Sequence, residues 1–320
     1  MIHNKFKNIN LSRLGFGTMR LPMNSDGSIN QELTEQMVDL AITSGVNYFD
    51  TAYPYHNGYS EIVIGKALKK YPRNSYFLAT KYPGHQTASS YNPEEIFEKQ
   101  LKKCDVDYFD FYLLHNVNEG SFKVYTDKKW NIIDYFLKQK ELGRIKYLGF
   151  STHADIPCLK EFLDLYAKDM EFCQIQFNYV DASLQHAKEK YDLITSYNIP
   201  VWVMEPVRGG KLAVMDEEYS KKLKEFNSND SIASWAFKYL LQFENVKMIL
   251  SGMSNMEQMQ DNIQTFNNYK GITKEENDYL NELGRKLIKG VPCTKCEYCV
   301  AGCPKKLNIP KLLSTYNDMK

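Results

Sequence analysis

Short apolar runs alternate with longer amphipathic stretches along most of this chain, and only a few residues separate one from the next. Strands are predicted near residues 10–21, 46–49, 76–80, 109–114, 147–150, 172–177, 201–204 and 248–250. Helices are predicted near residues 31–44, 60–70, 93–103, 130–142, 156–168, 183–197, 231–242 and 257–266. The strands are apolar on successive residues rather than on every second one, as expected when both faces of a sheet are covered. Strict βα alternation makes the sheet parallel, and eight such units close it into an α/β (β/α)8 TIM barrel. An open doubly wound sheet is the competing architecture. It predicts a G-x-G-x-x-G turn directly after a strand, and no such turn occurs in that context. Gly45 stops the first helix, while Gly15 and Gly17 punctuate the first strand, where glycine also fits a β-bulge.

In a β/α protein, ligands bind at the carboxyl ends of the strands. Three successive strand ends here carry chemistry: Asp50, then Lys81, then His115. Tyr55 lies in the loop after the first of these, five residues beyond Asp50. Taken singly, each residue has an ordinary explanation, since aspartate often caps helices and the chain holds 23 tyrosines. Taken together, Asp50, Tyr55, Lys81 and His115 in this order and register resemble the aldo-keto reductase family, over roughly residues 14–262.

That resemblance implies a (β/α)8 barrel that reduces a carbonyl with NADPH or NADH. The chemistry needs a hydride donor, a proton donor for the developing alkoxide and a site that stabilises it. Tyr55 is expected to give the proton, with Lys81 lowering the phenol's pKa toward the working range. Asp50 is expected to hold Lys81 charged, and His115 to orient the carbonyl. The hydride comes from the nicotinamide, since no side chain supplies one. Tyr53 and Tyr59 are rival donors on chemistry alone; the family spacing selects Tyr55.

The same resemblance assigns the cofactor contacts. Gly17, Thr18 and Met19 approach the cofactor after the first strand, and Asp50 faces it. Ser151 and Gln176 are expected to hold the nicotinamide carboxamide. Thr152 and His153 follow Ser151 where the family often has asparagine, and His153 reads as a surface-loop histidine. Met204 stands where many members stack an aromatic ring, followed by Pro206. Gly209 and Gly210 would let backbone approach a pyrophosphate, with Arg208 or Lys211 supplying charge. Gly252, Gln258, Asp261 and Asn262 form the adenosine segment. Gly252 and Gln258 replace the basic residues that usually grip a 2′-phosphate, which leaves NADPH and NADH both open.

Composition bounds the remaining classes. At 320 residues the chain accommodates one barrel, placed over 1–271, and an extension over 272–320. A net charge of +1, with no long basic run, gives no reason to expect nucleic acid. Residues 1–7 lack a signal-type apolar core, and no run has the length of a membrane span, so a cytoplasmic protein is expected.

Four of the seven cysteines cluster near the end as Cys293, Cys296, Cys299 and Cys303. The pattern is C-x2-C-x2-C-x3-C-P, the bacterial ferredoxin run, and points to an iron–sulfur cluster, 4Fe-4S in type, with zinc as the alternative. Either all four cysteines serve one cluster, or one of Cys104, Cys158 and Cys173 completes the set. Some aldo-keto reductases carry such a tail, so the combination resembles that subgroup. The cluster reads first as a structural staple, and second as a centre that exchanges electrons with a redox protein partner.

The resulting expectation is a reductase of a small-molecule aldehyde or ketone. A nicotinamide-binding redox sensor and an electron-transfer protein using the tail cluster are the alternatives. Substrate contacts are sought in 116–130, with Phe122, Tyr125 and Trp130 as candidates that equally suit packing.

Overall fold

The computed structural model describes residues 1–288, 291, 293 and 298–318. It begins with an antiparallel hairpin, β1 (His3–Phe6) and β2 (Ile9–Ser12). The parallel strands follow: β3 (Leu14–Gly17), β4 (Tyr48–Asp50), β5 (Phe77–Tyr82), β6 (Phe109–Val117), β7 (Ile145–Thr152), β8 (Cys173–Gln176), β9 (Val201–Met204) and β10 (Val246–Gly252). The last eight close into a barrel in chain order, β10 pairing with both β3 and β9. The competing open sheet is therefore excluded.

Helices α1 (Gln31–Thr43), α2 (Ser60–Leu68), α3 (Pro93–Cys104), α4 (Phe122–Thr126), α5 (Ile132–Glu141), α6 (Ile156–Tyr166), α7 (Asp181–Leu184) and α8 (Ala187–Ser196) cover the first part of the barrel. They are followed by α9 (Glu217–Phe226), α10 (Ile232–Leu241), α11 (Met256–Asn268), α12 (Lys274–Lys286), α13 (Tyr298–Ala301) and α14 (Ile309–Asp318). Their starts obey capping chemistry: the side chains of Asn30, Asn92, Asp155, Ser231 and Asn255 accept from amides of the first turn. Among the described residues no helix is long and apolar enough to cross a membrane.

Three departures from the predicted elements have physical causes. The single strand expected over 10–21 is two strands that leave the line at Arg13, and the first of them pairs with β1. The hairpin plugs the amino-terminal end of the barrel, where Phe6 meets Tyr147 and Trp202 edge-on at 5.0 and 5.1 Å. The helix expected over 183–197 breaks at His186, whose φ of 53° cannot continue a right-handed helix. Finally, α9 falls in a stretch too charged to show an apolar stripe beyond Leu223.

Candidate active site

Asp50 is the last residue of β4 and pairs in register with Gly17 and Ala79, which puts it at the carboxyl mouth of the barrel. Lys81 lies near the end of β5, with no exposed surface. Its Nζ donates to Asp50 Oδ1 at 2.5 Å and to the Thr51 carbonyl at 2.6 Å. Burial pulls the Lys81 ammonium below the ordinary lysine range, and Asp50 pushes back. Burial likewise raises the Asp50 carboxyl against the pull of Lys81. The two charges hold each other in a space that would exclude either alone.

Tyr55 opens a tight loop in which His56 and Asn57 take φ of 50° and 55°, left-handed values that cost energy for residues other than glycine. The loop is tied down where His56 Nε2 accepts from the Leu21 amide at 3.2 Å. Below it, the buried hydroxyls of Thr18, Ser60 and Thr51 form a chain, and Thr18 Oγ1 donates to the Asp50 carbonyl. The result places the Tyr55 ring 5.0 Å from Lys81 Nζ and 5.9 Å from the His115 ring. His115 is buried, and burial together with His85 and Lys81 drives it far below the usual histidine value, so it is neutral. The four residues expected to act together are thus brought together. Neither rival joins them: Tyr59 is exposed, and Tyr53 lies against Lys103.

Asp50 and Tyr55 face a cavity of about 370 Å³ that runs across the strand ends. Of the expected cofactor residues, Gly17, Met19, Asp50, Met204, Pro206, Gly209, Gly252, Gln258, Asp261 and Asn262 line it. Thr18, Ser151, Gln176 and Lys211 are not in the lining. Thr18 supports Asp50 from below, Ser151 Oγ accepts from the Asn116 amide, and Lys211 is exposed.

Gln176 is corrected: it lies outside the cavity lining, and its amide Nε2 donates to Asp181 at 2.8 Å instead. The residue missed by sequence reasoning is Gln174, which lines the cavity with its Oε1 buried and without a hydrogen-bond partner among the described residues. His153 is also corrected. It is a half-buried cavity residue whose pKa burial lowers to about 4, not a surface-loop histidine. The aromatic substrate candidates pack elsewhere: Tyr125 donates to the His115 carbonyl, Phe122 meets Phe162, and Trp130 meets Tyr91.

These features suit a nicotinamide dinucleotide. Gln174 Oε1 and Asp50 Oδ2 are buried acceptors without partners among the described residues, ready for a carboxamide or hydroxyl donor. Gly209 and Gly210 take φ of 64° and 91°, conformations that suit glycine and leave backbone bare at the cavity wall. At the far end, Asn262 is aligned by Ser251 and Asp261 by Ser231. One lining residue is unusual: Glu205, held at φ 56° and placed 3.7 Å from Arg20.

The aldo/keto reductase family model matches residues 13–285. The chain belongs to that family. It is accordingly an oxidoreductase. An uncharacterized oxidoreductase of Bacillus subtilis, YqkF, is 26% identical over 298 residues, covering 84% of this chain and 91% of the relative. The NADH-specific methylglyoxal reductase of Escherichia coli is 23% identical, covering 81% of this chain and 91% of its own length. Among solved structures, the holo form of an aldo-keto reductase from Bacillus halodurans superposes with a TM-score of 0.71 at 25% identity, covering 88% of this chain and 96% of the other.

The tail is placed only in part. Cys296 lies outside the described residues, and among those described no group of three metal-ligating side chains comes together. The iron–sulfur extension expected from sequence is therefore not seen as a formed site. Cys104 and Cys173 are buried in the barrel and its helical shell, which argues against either completing a tail site.

Proposed function

We propose that this reductase converts an aldehyde or ketone to an alcohol with NADH or NADPH, using Tyr55 as proton donor. The observation that carries this reading is the buried Lys81 ammonium, 2.5 Å from Asp50 and 5.0 Å from the Tyr55 ring beside the cavity. A cation so placed favours the phenolate that proton donation leaves behind. His115, kept neutral by burial, offers a hydrogen bond to a carbonyl oxygen without competing as an acid. Gln174, Met204 and the Gly209–Gly210 backbone would hold the cofactor's nicotinamide and phosphates, and Ser254, Gln258, Asp261 and Asn262 its adenosine. Bound there, the nicotinamide supplies the hydride. The relative named as NADH-specific supports a nicotinamide cofactor.

Tyr55→Phe is expected to lower turnover by at least about 100-fold, the usual scale of a lost general acid, while cofactor affinity falls by no more than about tenfold, since a phenol hydroxyl contributes at most about one hydrogen bond. Turnover near wild type would sink the assignment.

For the tail, we infer that Cys293, Cys296, Cys299 and Cys303 hold a 4Fe-4S cluster. The ligand spacing supports this, as does the Leu307 amide donating to Cys303 Sγ at 3.4 Å, the kind of bond that supports a ligating thiolate. Anaerobic reconstitution should then give about four iron and four sulfide per chain; zinc without sulfide would contradict it. Carbonyl reduction that survives chelation would assign the cluster a structural role, whereas reversible loss on cluster reduction would point to electron exchange with a redox partner.

A further inference from the structure

Behind the catalytic lysine the barrel wall holds a second carboxylate, which the proposed mechanism does not use. Glu61, in the first turn of α2, is fully buried. Its hydrogen-bond partners among the described residues are all donors: Oε1 accepts from Thr80 Oγ1 and from Gln100 Nε2, both at 2.7 Å, and Oε2 from Lys103 Nζ at 3.3 Å. This is the partner set of an ionised carboxylate.

Two of these donors lead straight to the active site. Thr80 precedes Lys81 in β5, and Gln100 Nε2 also lies 3.0 Å from the Lys81 carbonyl. Tyr112 donates to Gln100 Oε1 at 2.5 Å, which turns the amide nitrogen toward Glu61. The helices that carry Glu61 and Gln100 meet at Gly65, where a Cβ would stand 2.5 Å from the Cys104 carbonyl oxygen. A larger residue would push α2 from α3 and pull the carboxylate away from the strand.

We propose that Glu61 is a positioning residue, a second counter-charge acting through the barrel wall to keep Lys81 charged beside Tyr55. The inference rests on the reading of Tyr55 and Lys81 given above. A buried ammonium loses its hydration, and one carboxylate offsets that loss only in part. The medium between Glu61 and Lys81 is packed protein rather than water, so charge acts over a longer reach than at the surface. Both Asp50 and Glu61 favour the charged form of Lys81 against burial.

The groups facing the pair are few. Lys81 is bonded to Asp50 from β4 and lies beside Tyr55 from the following loop, with His115 from β6 and Glu61 from α2 in reach of its charge. Glu61 is bonded to Lys103 from α3, with Cys104 from α3 and Tyr112 from β6 in reach of its charge. Burial keeps His115, Cys104 and Tyr112 uncharged near neutrality. The charges that matter are therefore Asp50, Glu61, Lys81 and Lys103.

The test is the pH profile of kcat for reduction of 4-nitrobenzaldehyde with saturating cofactor. Glu61→Gln keeps the shape and removes the charge. Lys81 then loses its proton more easily and Tyr55 faces a more positive site, and both effects act in one direction. The alkaline limb is expected to move to lower pH by about half to one unit, less than a direct contact would give. A uniform loss of kcat with the limb in place would mean that Glu61 only clamps β5 to its helices, and would overturn the proposal.

Should Glu61→Gln fail to fold, Lys103→Met is read instead. It removes the cation that partly neutralises Glu61, so the limb should move to higher pH, and an unmoved limb again overturns the proposal. Tyr55→Phe, run alongside, separates the two levels. An inactive Tyr55→Phe with an unmoved Glu61→Gln limb defeats this inference alone, and an active Tyr55→Phe defeats both.

Discussion

Gln174 and Gln176 stand two residues apart on β8, and so share a side of the strand. Strand alternation therefore could not choose between them as the amide that meets the cofactor. What separates them is Asp181, which draws the Gln176 amide away and leaves Gln174 facing the cavity. That carboxylate comes from the segment after β8, so the distinction exists only once the chain has folded. Gln174→Ala is expected to weaken NADH or NADPH binding about tenfold, the value of roughly one buried hydrogen bond, with little change in thermal midpoint. Unchanged affinity, measured by titration, would remove Gln174 from the cofactor site. The residues proposed as catalytic were legible for the opposite reason. Asp50, Lys81 and His115 close apolar runs, and a strand end in a barrel has only one place to point. His153 was not legible, because it follows directly on β7 and nothing local shows that its ring turns to the cavity.

The loop after β9 shows what an element can conceal. Residues 205–212 carry Glu205 and Arg208 at φ of 56° and 51°, beside Gly209 and Gly210. This shape is costly and is held from outside. Arg208 Nε donates to the buried Asp181 at 3.1 Å, and Asn178 Nδ2 bridges Asp181 and the Glu205 carbonyl. In sequence the stretch reads as a glycine-rich connector, and Arg208 as a cation for phosphate. The structure turns that cation to Asp181 instead, and the loop meets the cavity through Glu205, Pro206, Val207, Gly209 and Gly210. The amino-terminal hairpin was hidden for a related reason. Its strands are four residues each, too short to display a period, and their value lies in the barrel end they close.

At the scale of the whole molecule, the barrel followed from counting. Eight apolar runs with covered faces have few ways to close, and the observed strand order runs straight around the ring. The tail did not follow in the same way, since a cysteine spacing names a ligand set without saying where it packs. The central claim concerns the cavity across the strand ends, and it is open to direct measurement without knowledge of the natural substrate. Anaerobically purified protein is titrated with NADH and, separately, NADPH, following nicotinamide fluorescence. Saturable binding of at least one below about millimolar, where a dissociation constant corresponds to roughly 4 kcal/mol, is the predicted result. Absence of binding by both at that concentration would contradict the account and leave the cysteine-rich tail as the place to seek the protein's chemistry.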